Sequence, residues 1–251
     1  MRIRIVPILF ILVTVMSGCR QGRAQIVIEE NVPVLNSQVQ ALIDNYSCII
    51  GFEDNKLVFA DSTTLVYDDF RVKTYDEALD DADVEDMFSE PYQKIAVPTN
   101  DAGRIRSDAL FRKLYGNTYS EVSKNLVNVL WCPKNVGQTL KFTRLYGAAD
   151  SLAIVSHELD ERPDLAKYLK SAGTLNWRVI AGTERLSAHC FGIAIDICVD
   201  YSNYWRWSKS LDYENHIPLE IVEVFERHGF IWGGRWKHFD TMHFEFRPEL
   251  L

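Results

Sequence analysis

Two short stretches near the C-terminus hold the residues best suited to chemistry: Ser187-Ala188-His189-Cys190-Phe191-Gly192-Ile193-Ala194-Ile195-Asp196 and Asp240-Thr241-Met242-His243-Phe244-Glu245. They supply two histidines, a carboxylate of the kind that binds metals, and a further carboxylate three residues before the last histidine. Together these are the parts of a catalytic zinc site. In a hydrolase, zinc takes three protein N or O ligands and keeps a fourth position for water, whose pKa it lowers to about 7. A neighbouring carboxylate can then serve as general base.

The flanking sequence must supply elements that bring these residues together. Ile193 to Val199 is apolar and β-branched enough for a buried strand, with Ala194, Asp196 and Cys198 on one face and Ile193, Ile195, Ile197 and Val199 on the other. Asp196 is the odd charge on such a strand, and a buried carboxylate calls for a cation or hydrogen-bond donors. Residues seven apart fall on opposite faces of an unbroken strand, so His189 joins Asp196 only if the chain bends between them; Gly192 permits that bend. In the second stretch Met242, Phe244 and Phe246 alternate with His243 and Glu245, which predicts a strand whose apolar face enters the core while His243 and Glu245 point into a cleft. Glu245 reads as an acceptor that orients an imidazole, or as a surface acid, rather than as a ligand.

Ser-x-His-x-x-Gly-x-Ala-x-Asp, followed by Gly-Phe-Ile-Trp-Gly-Gly-x-Trp and Asp-x-Met-His-Phe-Glu, resembles the zinc D-alanyl-D-alanine carboxypeptidases of the VanY type. Their relatives include D-Ala-D-Ala dipeptidases and L-alanyl-D-glutamate endolysins. The resemblance covers roughly the last 80 residues and implies an α+β domain of the Hedgehog/DD-peptidase fold. It further implies that His189, Asp196 and His243 hold Zn2+ and that Asp240 is the base, in a position where many relatives carry Glu. These relatives also have an upstream arginine for the substrate carbonyl or carboxylate. Arg178 in Asn176-Trp177-Arg178 is the candidate, with a solvated or ion-paired arginine as the alternative reading. The implied activity is removal of a terminal D-Ala from peptidoglycan stem peptides. The alternatives are L-alanyl-D-glutamate cleavage and a zinc-stabilised module that binds cell wall without cutting it.

Rival hydrolase signatures are missing: the sequence has no Ser-x-x-Lys and no Gly-x-Ser-x-Gly. His157-Glu158-Leu159-Asp160-Glu161 begins like a zincin motif but has Glu161 where the second histidine belongs. Leu152, Val155 and Leu159 instead predict a helix with His157 at its surface.

At the N-terminus Arg2 and Arg4 precede an apolar run from Ile5 to Val15 and then Met16-Ser17-Gly18-Cys19, the pattern of a bacterial secretory signal ending in a lipobox. A spanning helix needs about 20 apolar residues, more than this run has. The resemblance to lipoprotein signals implies cleavage after residue 18, lipid on Cys19, and a membrane-anchored protein of the cell envelope facing the periplasm. Losing Arg2 and Arg4 with the signal takes the formal charge from −8 to −10. So acidic a chain lacks the cationic surface that nucleic acid or anionic lipid requires, which leaves acyl chains to hold it at the membrane.

The remaining layout follows: residues 19–40 as a polar tether, 41–100 as a small N-terminal extension containing a hairpin within Cys48 to Tyr67, and 101–251 as the zinc peptidase domain. Asp76 to Asp86 is expected to be a solvated, acidic helix face. Ser107 should cap a helix that Gly116 ends, Val127–Leu130 and Thr139–Phe142 should be strands, and Pro218 should open a helix facing inward with Leu219, Val222 and Phe225. Tyr201 to Trp207 reads as an aromatic border to the cleft or as ordinary loop packing. Cys48, Cys132, Cys190 and Cys198 allow three disulfide connectivities. Cys190 and Cys198 are read as small buried residues rather than ligands.

Overall fold

A computed structural model describes residues 35–251 apart from 181, 182, 184 and 209–211. The signal segment 1–18, Cys19 and most of the tether lie outside the described residues.

The site rests on an antiparallel sheet of β6 (Ser171–Gly173), β7 (Ala194–Ile197), β8 (Phe230–Trp232) and β9 (His243–Phe246), in the order β6-β7-β9-β8. Its strands are short and apolar because both faces are covered; Ile195, Ile197, Phe230, Ile231 and Phe244 are all fully buried. The helix α6 (Leu219–Arg227) packs on one face, its Phe225 ring stacked on Phe244 at 4.0 Å between centroids. Beside it α5 (Ala148–Asp160) buries Leu152, Val155 and Leu159 and leaves His157 at the surface, as its period predicts. A hairpin of β4 (Leu126–Trp131) and β5 (Gln138–Thr143) completes this layer.

Inward-facing residues of α6 are Ile221, Val222 and Phe225. Leu219, expected among them, is 47% exposed. The helix starts at Leu219 itself, and the buried stripe begins two residues later, at Ile221. At the other end α3 (Asp108–Tyr115) is capped by Ser107 and followed by Gly116, as expected.

The N-terminal part forms α1 (Ser37–Asn45) and a sheet of β1 (Ile49–Glu53), β2 (Lys56–Phe59) and β3 (Thr64–Val66). Asp54 and Asn55 turn the β1–β2 hairpin with φ of 47° and 58°, a left-handed pair that matches strand twist. Helix α1 begins inside the stretch read as tether, because Val39 and Leu42 bury completely against the body. These two residues share one apolar core with Phe59, Phe142 and Phe244, so the N-terminal and C-terminal parts are a single unit from Ser37 to Leu251.

The acidic stretch yields α2 (Tyr75–Asp80), opened by a Thr74–Glu77 capping box, and then a single 3-10 turn. It is less solvated than expected, since Lys73 Nζ sits 3.1 Å from Asp83 and 2.7 Å from Asp86 with its side chain only 2% exposed. A short α4 (Tyr119–Ser123) precedes β4. Cys48, Cys132, Cys190 and Cys198 are all free thiols. No helix among the described residues is long and apolar enough to cross a membrane.

Candidate metal centre and its cleft

Register builds the centre. Asp196 on β7 lies directly opposite His243 on β9, and cross-strand partners share a face of the sheet. His189 comes from the 3-10 turn Ala188–Phe191, which Ser187 caps by accepting the His189 amide. Gly192 ends that turn at φ 66°, where a Cβ would meet Leu126 at 2.6 Å, so the bend needs glycine both for its backbone and for its space. The result brings His189 Nε2 to 3.2 Å from Asp196 Oδ1 and 3.2 Å from His243 Nδ1, with His243 Nδ1 3.0 Å from Asp196 Oδ1.

That triangle fits a metal. Ligands about 2.0 Å from a tetrahedral ion stand ~3.3 Å apart, close to the separations seen. The outer nitrogens of both rings are engaged: His189 Nδ1 donates to Thr174 O at 3.2 Å and His243 Nε2 to Glu245 Oε2 at 3.1 Å. Those bonds select the tautomers that turn both inner nitrogens toward the centre as lone pairs, beside a carboxylate. Three electron-pair donors this close call for a metal ion among them or, in its absence, a shared proton. Burial works against charge on His243, but Asp196 and Glu245 outweigh it and push the imidazole up to about 10. Burial likewise opposes ionisation of Asp196, and the two histidines overcome it and hold its carboxyl well below the usual range.

Glu245 is fully buried under the centre rather than facing the cleft, and its other contacts are Arg106 Nη1 and Arg247 Nη1, each at 2.8 Å. The expectation that it orients an imidazole fits this arrangement; the expectation that it points into a cleft does not. The arginines that bury it come from distant segments.

Asp240 lines the same cavity as His189, Asp196 and His243. Its Oδ1 is buried with no hydrogen-bond partner among the described residues, and burial pushes its carboxyl up to about 6 although His243 pulls the other way. A carboxylate oxygen left this way is a poor structural element and an available proton acceptor. Arg178 also lines the cavity, on an exposed part of the rim. Four arginines that the sequence did not reveal join it: Arg104, Arg106, Arg185 and Arg206. The only local hint was Arg185, two residues before Ser187. Tyr204 of the aromatic insert lines the cleft as well, whereas Trp207 is 62% exposed. Cys190 Sγ donates to the Arg178 and Asn176 carbonyls and is no part of the centre.

An α+β fold carrying a His, Asp, His cluster, with a half-buried carboxylate beside it whose Oδ1 lacks a partner, has the composition of a metallohydrolase site. Residues 181–246 match the family model described as D-alanyl-D-alanine carboxypeptidase, a span that includes His189, Asp196, Asp240 and His243 and starts just after Arg178. The motif resemblance therefore extends through this continuous segment, which is of the peptidase kind. A search of curated proteins and one of solved structures each gave no match.

Proposed function

We propose that the protein is a zinc-dependent peptidase of peptidoglycan stem peptides, in first place a D-alanyl-D-alanine carboxypeptidase, with a fold of the Hedgehog/DD-peptidase kind. The observation that carries this reading is the convergence of His189, Asp196 and His243 at 3.0–3.2 Å, with both outer ring nitrogens already committed. Zinc held there would polarise the scissile carbonyl and make water a nucleophile near neutral pH. The protein's own groups do the rest. Asp240 takes the proton of the attacking water and returns it to the leaving amine. Arg178 reaches the substrate carbonyl or carboxylate from the rim. His189 and His243 are kept in orientation by Thr174 and Glu245.

Cleavage of L-Ala-D-Glu is the nearest alternative. A zinc-stabilised wall-binding module is less well supported, because a purely structural metal gives no reason to keep Asp240 Oδ1 buried without a partner. We further propose that the chain is a lipoprotein of the bacterial envelope, anchored through Cys19 and facing the periplasm. The decisive experiment incubates the zinc-loaded protein with defined pentapeptide and tetrapeptide stems and identifies products by mass spectrometry. Loss of one D-Ala supports the carboxypeptidase, free L-Ala ends support the endopeptidase, and intact peptides refute catalysis.

A further inference from the structure

The proposed base is carried by a turn rather than by the sheet: Asp240 follows residues 236–239 and precedes β9. Two segments hold that turn. On one side residues 203–205 run alongside it, with a bridge between Tyr204 and Asp240, the Trp205 amide donating to Phe239 O at 2.9 Å and the Thr241 amide to Asn203 O at 2.9 Å. On the other side lie residues 100–104. The Lys237 amide donates to Asn100 O at 2.7 Å, Trp236 Nε1 to Ala102 O at 2.7 Å, and Arg104 Nη1 to His238 O at 2.9 Å.

Asp101 is the hub of this second set. It is 4% exposed, and its carboxylate accepts the His238 amide on Oδ1 at 2.8 Å and His238 Nδ1 on Oδ2 at 2.7 Å. The Tyr75 hydroxyl donates to the same Oδ2 at 2.9 Å while its ring stacks on the imidazole, and Trp205 packs edge-on against that imidazole at 4.8 Å between centroids. Asp101 is placed in turn by Glu90, whose Oε2 accepts its amide at 2.8 Å. A buried carboxylate gathering three donors fixes the geometry of each of them.

Neither Asp101 nor His238 lines the cavity, whereas Asp240, two residues beyond His238, does. Asp240 Oδ1 has no hydrogen-bond partner among the described residues, so its side chain takes its direction from the backbone of the turn.

We infer that Asp101 is a positioning residue for the base: acting through His238, it fixes the turn that aims Asp240 at the metal centre. Turnover then depends on Glu90, Tyr75 and residues 100–104, all outside the segment 181–246 that matches the peptidase family. The inference rests on Asp240 being the base of the proposed peptidase and adds the residue that aims it.

The test compares zinc-loaded wild type, Asp101→Asn, Asp240→Asn and the double variant on the defined stem peptides. Asp101→Asn should keep its zinc and its KM and lower kcat by about 10- to 100-fold, since misplacement on the scale of 1 Å can cost that much. With the base already removed, the same change should cost less than about twofold, because nothing remains to be aimed. His238→Phe keeps a ring against Tyr75 and Trp205 and removes only the Nδ1 donor; it should lose kcat in the same way, whether or not Asp101→Asn folds. Wild-type kcat in either variant, or an equal loss with and without Asp240, would overturn the assignment. Amide hydrogen exchange supplies an arm without turnover. The amides of Lys237, His238 and Asp240 should exchange at least about 10-fold faster in Asp101→Asn, the worth of a hydrogen bond to a charged group, while β7 and β9 keep their wild-type protection. Faster exchange with no peptide cut by wild type would sink the peptidase reading and leave the clamp on the turn standing. Unchanged exchange would refute the clamp whatever the peptides do.

Discussion

Gly233 lies directly against Asp240: the Asp240 amide donates to Gly233 O at 3.0 Å, and a Cβ on residue 233 would approach Asp240 O to 2.5 Å and its Cβ to 3.2 Å. The Trp-Gly-Gly segment thus sets the position of the proposed base, because only a residue without a side chain lets the turn before β9 close this far. Gly233→Ala should displace Asp240 and cut turnover at least about 10²-fold, since misplacement on the scale of 1 Å can cost that much. Metal content should stay near wild type, because the atoms a Cβ would meet belong to Asp240 and Trp236 and not to the three donor side chains. Unchanged kcat would show that the contact does not position the base.

Purified protein should carry about one zinc per chain. His189→Ala and His243→Ala should each lose most of it, as read by elemental analysis after dialysis. Stoichiometric metal in both variants would mean that it binds elsewhere.

Asp240→Asn nearly conserves volume and should keep the zinc while lowering kcat by a factor on the order of 10² to 10⁴. The base must be ionised to work, and burial raises its carboxyl to about 6, so wild-type activity should fall as pH drops through that region. An Asp240→Asn enzyme that turns over at the wild-type rate would remove this residue from the reaction.

Glu245→Gln should weaken zinc binding by about 10- to 100-fold, the usual effect of losing the partner of a ligating histidine. It should also lower Tm, because Arg106 and Arg247 lose their shared counter-ion inside the core. Burial alone would raise the Glu245 carboxyl, but Arg106, His243 and Arg247 hold it well below the ordinary 4.5. In acid the unfolded chain therefore takes up this proton first. Its stabilising contribution is complete above about pH 4.5 and disappears as pH falls toward the folded-state value, which urea titrations from pH 7 down to 3 can follow. A variant with wild-type zinc affinity and the same acid profile would contradict the role given to Glu245.

Expression in a bacterium with residues 1–18 intact should give a membrane-partitioned protein carrying diacylglycerol on Cys19, and Cys19→Ala should abolish the modification. A soluble mature chain starting at another residue would refute the anchor.

Much of the centre could be read locally because its determinants are local. Asp196 is a charge on an apolar strand, Gly192 marks a bend, and His243 and Glu245 alternate with core aromatics. Caps and turns were legible for the same reason, as at Ser107 and Gly116. What the chain did not reveal came from contacts between distant segments. No period along the sequence announces that Arg106 and Arg247 will meet around Glu245, or that β9 will insert between β7 and β8. Leu219 shows the limit of pattern reading at a helix end, where one position decides which apolar residue faces inward. Val39 and Leu42 show it at a boundary, since a mostly polar stretch still contained the start of a packed helix.

The buried links from His243 continue past the sheet: Glu245 bridges to Arg247, Arg247 to Glu249, and Glu249 Oε2 accepts from the Tyr46 hydroxyl at 2.6 Å. The relay joins the first helix of the unit to residues beyond the last metal donor. It also ties the orientation of one donor to packing at the far edge of the unit: removing any link leaves a buried charge without its partner, so damage near Tyr46 is felt at His243.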